Sequence, residues 1–144
     1  MDRRFRARVA TFCLFGLQAM AAAAQTEFLH PNEAFAVSAR ALDPGMLEVR
    51  FDIARGYYMY RDKFAFKSLT PGVAVGAPQL PRGTVIQDEY FGKVETFRGP
   101  LHVRVPYSGK SPRVALEIKS QGCAEAGLCY PVQTQRLDVS LGER

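Results

Sequence analysis

Leu47-Glu48-Val49-Arg50-Phe51-Asp52-Ile53 places an apolar side chain at every second position and a charged one between each pair. Successive side chains on a strand point to opposite faces, so this spacing gives one apolar face and one ionic face, as a half-buried β-strand requires. Upstream, Asp43-Pro44-Gly45 reads as a turn, and before it Phe35, Val37, Ala39 and Ala41 repeat the same period within a pattern that starts near Phe28. Downstream, Arg55-Gly56 ends the run. Two alternating segments joined by so short a turn predict antiparallel neighbours.

The pattern continues along the chain. Tyr57-Tyr58-Met59-Tyr60 and Lys63-Phe64-Ala65-Phe66 precede a turn at Thr70-Pro71-Gly72. Val73 to Val75 and Pro78 to Pro81 are extended but interrupted by prolines, which suits an edge strand or an irregular connection. Val94 to Phe97 and the set Leu101, Val103 and Val105 are separated by Arg98-Gly99-Pro100. After a turn at Ser108 to Pro112 come Val114, Leu116 and Ile118, and Val132 to Leu141 supplies the last strand. Seven to nine short strands result, with helical character limited to one turn at Ala124 to Ala126. Frequent turns between short alternating strands predict an all-β antiparallel sandwich rather than a closed barrel.

The N-terminus has a different composition. Arg3, Arg4, Arg6 and Arg8 precede an apolar run from Val9 to Met20 and then Ala21-Ala22-Ala23-Ala24. A basic start, a short apolar run and small residues form the three-part pattern of a secretory signal peptide. The run is too short for the ~20 apolar residues that span a bilayer. Residues 1–24 are thus expected to be cleaved, leaving one domain over 25–144, with no later segment apolar enough to span a membrane. Cleavage removes four of the 19 basic and one of the 14 acidic residues, so the formal charge falls from +5 to +2. The pI near 9.3 is then largely a property of the leader and gives no support to nucleic-acid binding.

Cys13 lies within the leader, so the mature domain keeps Cys123 and Cys129, inside Ser120-Gln121-Gly122-Cys123-Ala124-Glu125-Ala126-Gly127-Leu128-Cys129-Tyr130-Pro131. An exported domain with two thiols can form a disulfide. Spacing alone leaves three readings open: a structural bridge, a redox-active pair and a metal site. A seven-residue loop yields only about 2.4 kcal/mol of chain-entropy stabilisation, against ~4.7 for a loop of a hundred, which weakens the structural reading. Thiolate zinc sites usually need a second ligand pair, and His30 and His102 stand singly, so each reads as a surface histidine. Asp88-Glu89 makes a poor two-carboxylate hydrolytic site, because neighbours on an extended chain face opposite ways. A carboxylate folded over the cysteines would instead raise a thiol pKa. Tyr57, Tyr58, Tyr60, Tyr90 and Phe91 suit packing, and also a shield around a reactive sulfur.

Three motifs in order, Gly56-Tyr57-Tyr58-Met59-Tyr60-Arg61, Asp88-Glu89-Tyr90-Phe91-Gly92-Lys93 and Gln121 to Pro131, closely resemble the N-terminal periplasmic domain of the thiol:disulfide interchange protein DsbD. The resemblance spans about Phe28 to Leu141. It implies an immunoglobulin-like sandwich in the periplasm and a protein-disulfide reductase component that passes reducing equivalents to thioredoxin-like oxidoreductases, with no organic cofactor or metal. Carried over by motif, Cys129 forms mixed disulfides with partners and Cys123 resolves them. Asp88, Glu89, Tyr90, Phe91, Gly92 and Lys93 resemble the cap loop over the pair, with Tyr90 where the family usually has phenylalanine at the tip. Tyr58 and Tyr60 match aromatic positions lining the site, and Leu128 replaces a phenylalanine often found before the second cysteine. In the family this domain is fused to a transmembrane electron-transfer domain and a thioredoxin-like domain. The chain ends at Arg144 with neither, so a membrane-embedded donor is expected to act in trans. The competing expectation is a non-catalytic immunoglobulin-like binding module with a structural disulfide.

Overall fold

The alternation at 46–53 forms a strand whose apolar set is sealed: Leu47, Val49 and Phe51 are fully buried. The computed structural model describes residues 27–142, so the segment assigned to a signal peptide lies outside the described residues. The strands run β1 Phe35–Asp43, β2 Met46–Ile53, β3 Tyr57–Tyr60, β4 Ala65–Ser68, β5 Val73–Val75, β6 Thr84–Asp88, β7 Gly92–Phe97, β8 Pro100–Gly109, β9 Arg113–Ser120, β10 Gly122–Ala124 and β11 Gln133–Ser140. They form three antiparallel sheets, ordered β1-β2-β8-β5, β10-β3-β7-β6 and β11-β9-β4.

Register explains the core. Leu47, Val49 and Phe51 of β2 lie opposite Val105, Val103 and Leu101 of β8, so the apolar faces of both strands coincide. Val114, Leu116 and Ile118 of β9 enter the same buried cluster from another sheet. The expected all-β antiparallel sandwich is the observed architecture.

Local expectations depart from this structure at several points, among them a 3-10 turn at Arg61–Lys63 and a short strand, β10, within the cysteine loop. Period-two structure starts at Phe35, because Pro31–Ala34 forms a helical turn instead. Proline suits the first turn of a helix, and Glu33 accepts a hydrogen bond from the His30 amide at 3.3 Å. The helical turn expected at Ala124 to Ala126 is absent: Ala124 ends β10, and a tight turn follows. Strand β6 was not expected, because it pairs only with β7 at a sheet edge and its side chains are mostly exposed, with Val85 at 56%. The described residues thus hold eleven strands rather than seven to nine.

Candidate functional site

Strand β3 is buried along its whole length because both of its faces are covered. Tyr57 and Met59 join the main core, while Tyr58 and Tyr60 form a second cluster with Cys123. Period two at Tyr57–Tyr60 thus divides the strand between scaffold and site. On one side β3 pairs with β10, where Cys123 lies opposite Tyr58. On the other it pairs with β7 of the β6–β7 hairpin, whose turn carries residues 88–92.

Gly122 makes the approach of β10 possible. A Cβ there would lie 2.5 Å from the Tyr58 carbonyl oxygen and 2.6 Å from the Phe35 ring. Cys123 and Cys129 are joined as a disulfide. The two sulfur residues differ in access: Cys123 is completely buried, whereas Cys129 is partly exposed. Leu128 is partly buried against the main core, and its carbonyl accepts the Ala124 amide at 2.7 Å.

A polar network lies beneath the hairpin. Tyr58 and Tyr60 donate their hydroxyls to Asp88 Oδ2 at 2.9 and 2.8 Å. The amides of Tyr90 and Phe91 donate to Asp88 Oδ1 at 2.8 and 2.9 Å. Burial by itself would raise the Asp88 carboxyl, but the Phe91 amide, the Tyr60 and Tyr58 hydroxyls and the Tyr90 amide outweigh it and hold it below its ordinary value. Burial pushes the Tyr60 hydroxyl well above its ordinary value, and Tyr58 and Asp88 add to the effect. Tyr58 is raised too, chiefly by burial.

The Tyr60 oxygen also sits 3.0 Å from Cys123 Sγ and 3.8 Å from Cys129 Sγ. A phenol has one proton, and the anionic carboxylate is its strongest acceptor within reach. Tyr60 therefore donates to Asp88 and turns a lone pair toward the sulfurs. If the bridge is reduced, a Cys123 thiol can donate to that oxygen. An anion held one hydroxyl away disfavours a thiolate at Cys123.

Aromatic contacts close the site. Phe91 meets Tyr60 edge-to-face at 5.0 Å, and Lys63 Nζ lies 4.6 Å from the Phe91 ring centroid. Tyr90, expected at the hairpin tip, is 59% exposed, and it is the Phe91 ring that covers Tyr60. Glu89 and Lys93 are exposed, and Gly92, at φ +73°, ends the turn. On the far side, Arg98 lies over the Tyr58 ring at 5.1 Å and donates from Nε to Glu125 Oε1 at 2.7 Å. Behind the cysteine loop, Tyr57 and Tyr130 clamp one peptide segment: the Leu29 amide donates to the Tyr57 hydroxyl at 2.8 Å, and the Tyr130 hydroxyl donates to the Leu29 carbonyl at 2.6 Å.

Sequence reading did not anticipate Lys63, Arg98 or Glu125. The only signal was position: Lys63 and Arg98 lie shortly after the first two motifs, and Glu125 lies within the third. His102 sits on the outer side of β8, with Nδ1 3.4 Å from Glu48 Oε2.

The fold and the site together define a class: immunoglobulin-like β-sandwich domains that carry a short-loop disulfide on a sheet edge, beside a carboxylate and tyrosine network. Residues 25–141 match the family described as "Thiol:disulfide interchange protein DsbD, N-terminal", and the chain belongs to that family. It is 40% identical over 117 residues to thiol:disulfide interchange protein DsbD 2 of Pseudomonas aeruginosa, covering 81% of this chain and 19% of that protein. It is 41% identical over 122 residues to DsbD of Ralstonia nicotianae, covering 84% of this chain and 20% of that one. The chain thus spans about a fifth of the length of the curated relatives it matches. Among solved structures, the reduced N-terminal domain of Neisseria meningitidis DsbD matches with a TM-score of 0.69 and 36% identity, over 78% of this chain and 89% of that one. A complex between the DsbD and PilB N-terminal domains of the same organism matches with a TM-score of 0.66 and 34% identity, over 78% and 87% of the two chains.

Proposed function

We propose that this domain carries out thiol-disulfide exchange in the periplasm, passing two electrons from its reduced Cys123/Cys129 pair to oxidised thioredoxin-like partner proteins. The observation that carries this reading is the unequal burial of the two cysteines: Cys129 is partly exposed, while Cys123 is completely buried, with the Tyr60 oxygen 3.0 Å from its sulfur. The relatives' shared description and the meningococcal complex with a second protein domain support it.

The steps follow from access. The Cys129 thiolate attacks one sulfur of the partner disulfide, forming a mixed disulfide and releasing the other partner sulfur as a thiolate, which takes up a proton. Cys123 then gives up its proton, ultimately to solvent, and attacks Cys129 Sγ. The mixed disulfide breaks, the second partner thiolate leaves and is protonated, and the Cys123–Cys129 bridge is restored. The partner is reduced and this domain oxidised. A membrane-embedded donor then returns the pair to the dithiol.

Exchange rates depend on thiolate fraction, nucleophilicity and access. Asp88, one hydroxyl away from Cys123, disfavours a thiolate at that resolving sulfur, and the 88–93 hairpin with Phe91 restrains access until a partner displaces it. The chemistry asks nothing of a metal or organic cofactor. Among the described residues no helix is long and apolar enough to cross a membrane.

The test compares two variants against an oxidised thioredoxin-like domain. Cys123→Ser should accumulate a mixed disulfide through Cys129, while Cys129→Ser should form none; equal behaviour of the two defeats the assignment. A redox titration of the unmodified protein separates exchange from a purely structural bridge, since structural disulfides typically lie below about −300 mV.

A further inference from the structure

The geometry points to Arg98 as a positioning residue for the exchange site, coupling the cysteine loop to the tyrosine and carboxylate network. This inference rests on the exchange reading proposed above. Arg98 directly follows β7, the strand that leads back from the hairpin bearing Asp88 and Phe91. Its guanidinium makes three contacts with different parts of the site. Nε donates to Glu125 Oε1 at 2.7 Å, the planar group covers the Tyr58 ring at 5.1 Å, and Nη1 donates to Thr96 Oγ1 at 3.3 Å.

Glu125 lies between the two cysteines, in the turn that sets where Cys129 stands. Its backbone is already fixed, because its amide donates to the Gly56 carbonyl at 2.8 Å. The side-chain link to Arg98 therefore adds something other than a second anchor for the same strand. It joins that turn to Tyr58, which donates to Asp88, the group that also holds Tyr60 against Cys123. Arginine suits the position, because a planar guanidinium can stack on a ring while donating sideways to a carboxylate. When a docking partner moves the hairpin and Asp88 shifts, the contact chain Asp88–Tyr58–Arg98–Glu125 carries the change to the loop between the sulfurs.

The pair is too exposed to serve mainly as a stability device. The Arg98 and Glu125 side chains are 41% and 50% accessible, and ion pairs exposed to that degree contribute little to folding. Variants should therefore fold, and their effect should appear in exchange.

The experiment measures the rate at which reduced protein reduces an oxidised thioredoxin-like domain, for the unmodified protein and for Arg98→Gln, Glu125→Gln, the double variant and Arg98→Lys. Arg98→Gln, which loses both the ring–cation contact and the ion pair, should slow exchange about three- to tenfold, and Glu125→Gln, which loses only the ion pair, about two- to fivefold. The double variant should be no slower than the slower single one, because both remove the same link. Arg98→Lys, which keeps the charge but not the planar group that stacks on the ring while donating sideways, should recover the rate only in part. Melting midpoints should remain close to that of the unmodified protein. Three results overturn the inference: an Arg98→Gln rate within twofold of the original, losses that multiply in the double variant, or slowing that tracks a lowered melting midpoint. An unmodified protein that does not exchange at all overturns the functional reading along with it, so the two failures are told apart.

Discussion

Replacing Tyr60 with phenylalanine removes one oxygen and leaves the ring, so its contacts with Tyr58 at 5.5 Å and Phe91 at 5.0 Å should persist. What disappears is the donor to Asp88 Oδ2 at 2.8 Å and the oxygen 3.0 Å from Cys123 Sγ. Asp88 keeps the Tyr58 hydroxyl and the two amides, so it is weakened rather than orphaned. A hydrogen bond to a charged group contributes about 1.5–3 kcal/mol, and a neutral one about 0.5–1.5. Near neutral pH, with Asp88 ionised, Tyr60→Phe should therefore destabilise the oxidised domain by about 1.5–3 kcal/mol.

The pH dependence gives the sharper check. The folded Asp88 pKa is depressed, so its contribution to stability is present above the unfolded value, roughly 3.9, and is lost as pH falls through the folded value. Below that value the carboxyl is neutral in both proteins, and the gap between them should shrink to about 0.5–1.5 kcal/mol. Urea unfolding at neutral pH and at a pH below the folded value, compared at constant m, reads both quantities. A Tyr60→Phe midpoint equal to that of the unmodified protein at neutral pH, or a gap that fails to narrow in acid, would refute the assignment of the Tyr60 proton to Asp88.

Two further outcomes follow from contacts around the sulfurs. Phe91→Ala removes the edge contact with Tyr60 and the ring beneath Lys63, so reduced Cys129 should be alkylated by iodoacetamide several-fold faster; since Phe91 is 45% exposed, the melting midpoint should move little. Unchanged alkylation would remove the hairpin from the account of access. Gly122→Ala puts a Cβ 2.5 Å from the Tyr58 carbonyl oxygen and must push β10 from β3, costing about 1–3 kcal/mol by urea unfolding. An undiminished midpoint would show that β10 is not held as closely as the geometry requires.

The sandwich was legible wherever one side of a strand meets the core. Leu47, Val49 and Phe51, the facing set on β8, and Val114 to Ile118 each alternate cleanly because burial on one face imposes period two. Strand β6 escaped notice for the complementary reason: with only β7 beside it and Ile86 only partly buried, nothing forces apolar residues into its sequence. At the site, parity was informative. Asp88, the last residue of β6, is buried while Glu89, the first of the turn, is exposed, and Tyr58 and Tyr60 share a face with Cys123. Arg98, Lys63 and Glu125 gave no such signal, because a charged residue on a turn reads as solvated until hairpin geometry supplies its partner. Likewise, Tyr90 and Phe91 are adjacent aromatics, and only the conformation of the 88–92 turn decides that Phe91 reaches Tyr60.

The Leu29 clamp bears on how the domain assembles. Tyr130, the residue after Cys129, holds the Leu29 carbonyl across 101 positions of sequence, and Tyr60 meets the two sulfurs across 63 and 69. Contacts between such distant segments carry a loop-closure cost before they return any interaction energy, and they are slow to form. Cys123 and Cys129 are only six positions apart and can find each other in an unfolded chain. The bridge can thus close before the elements that enclose it exist, and the tyrosine and hairpin contacts around it arrive with the completed topology. A newly made chain therefore passes through a period in which the same two sulfurs are open to any thiol chemistry, and folding rate sets how long that exposure lasts.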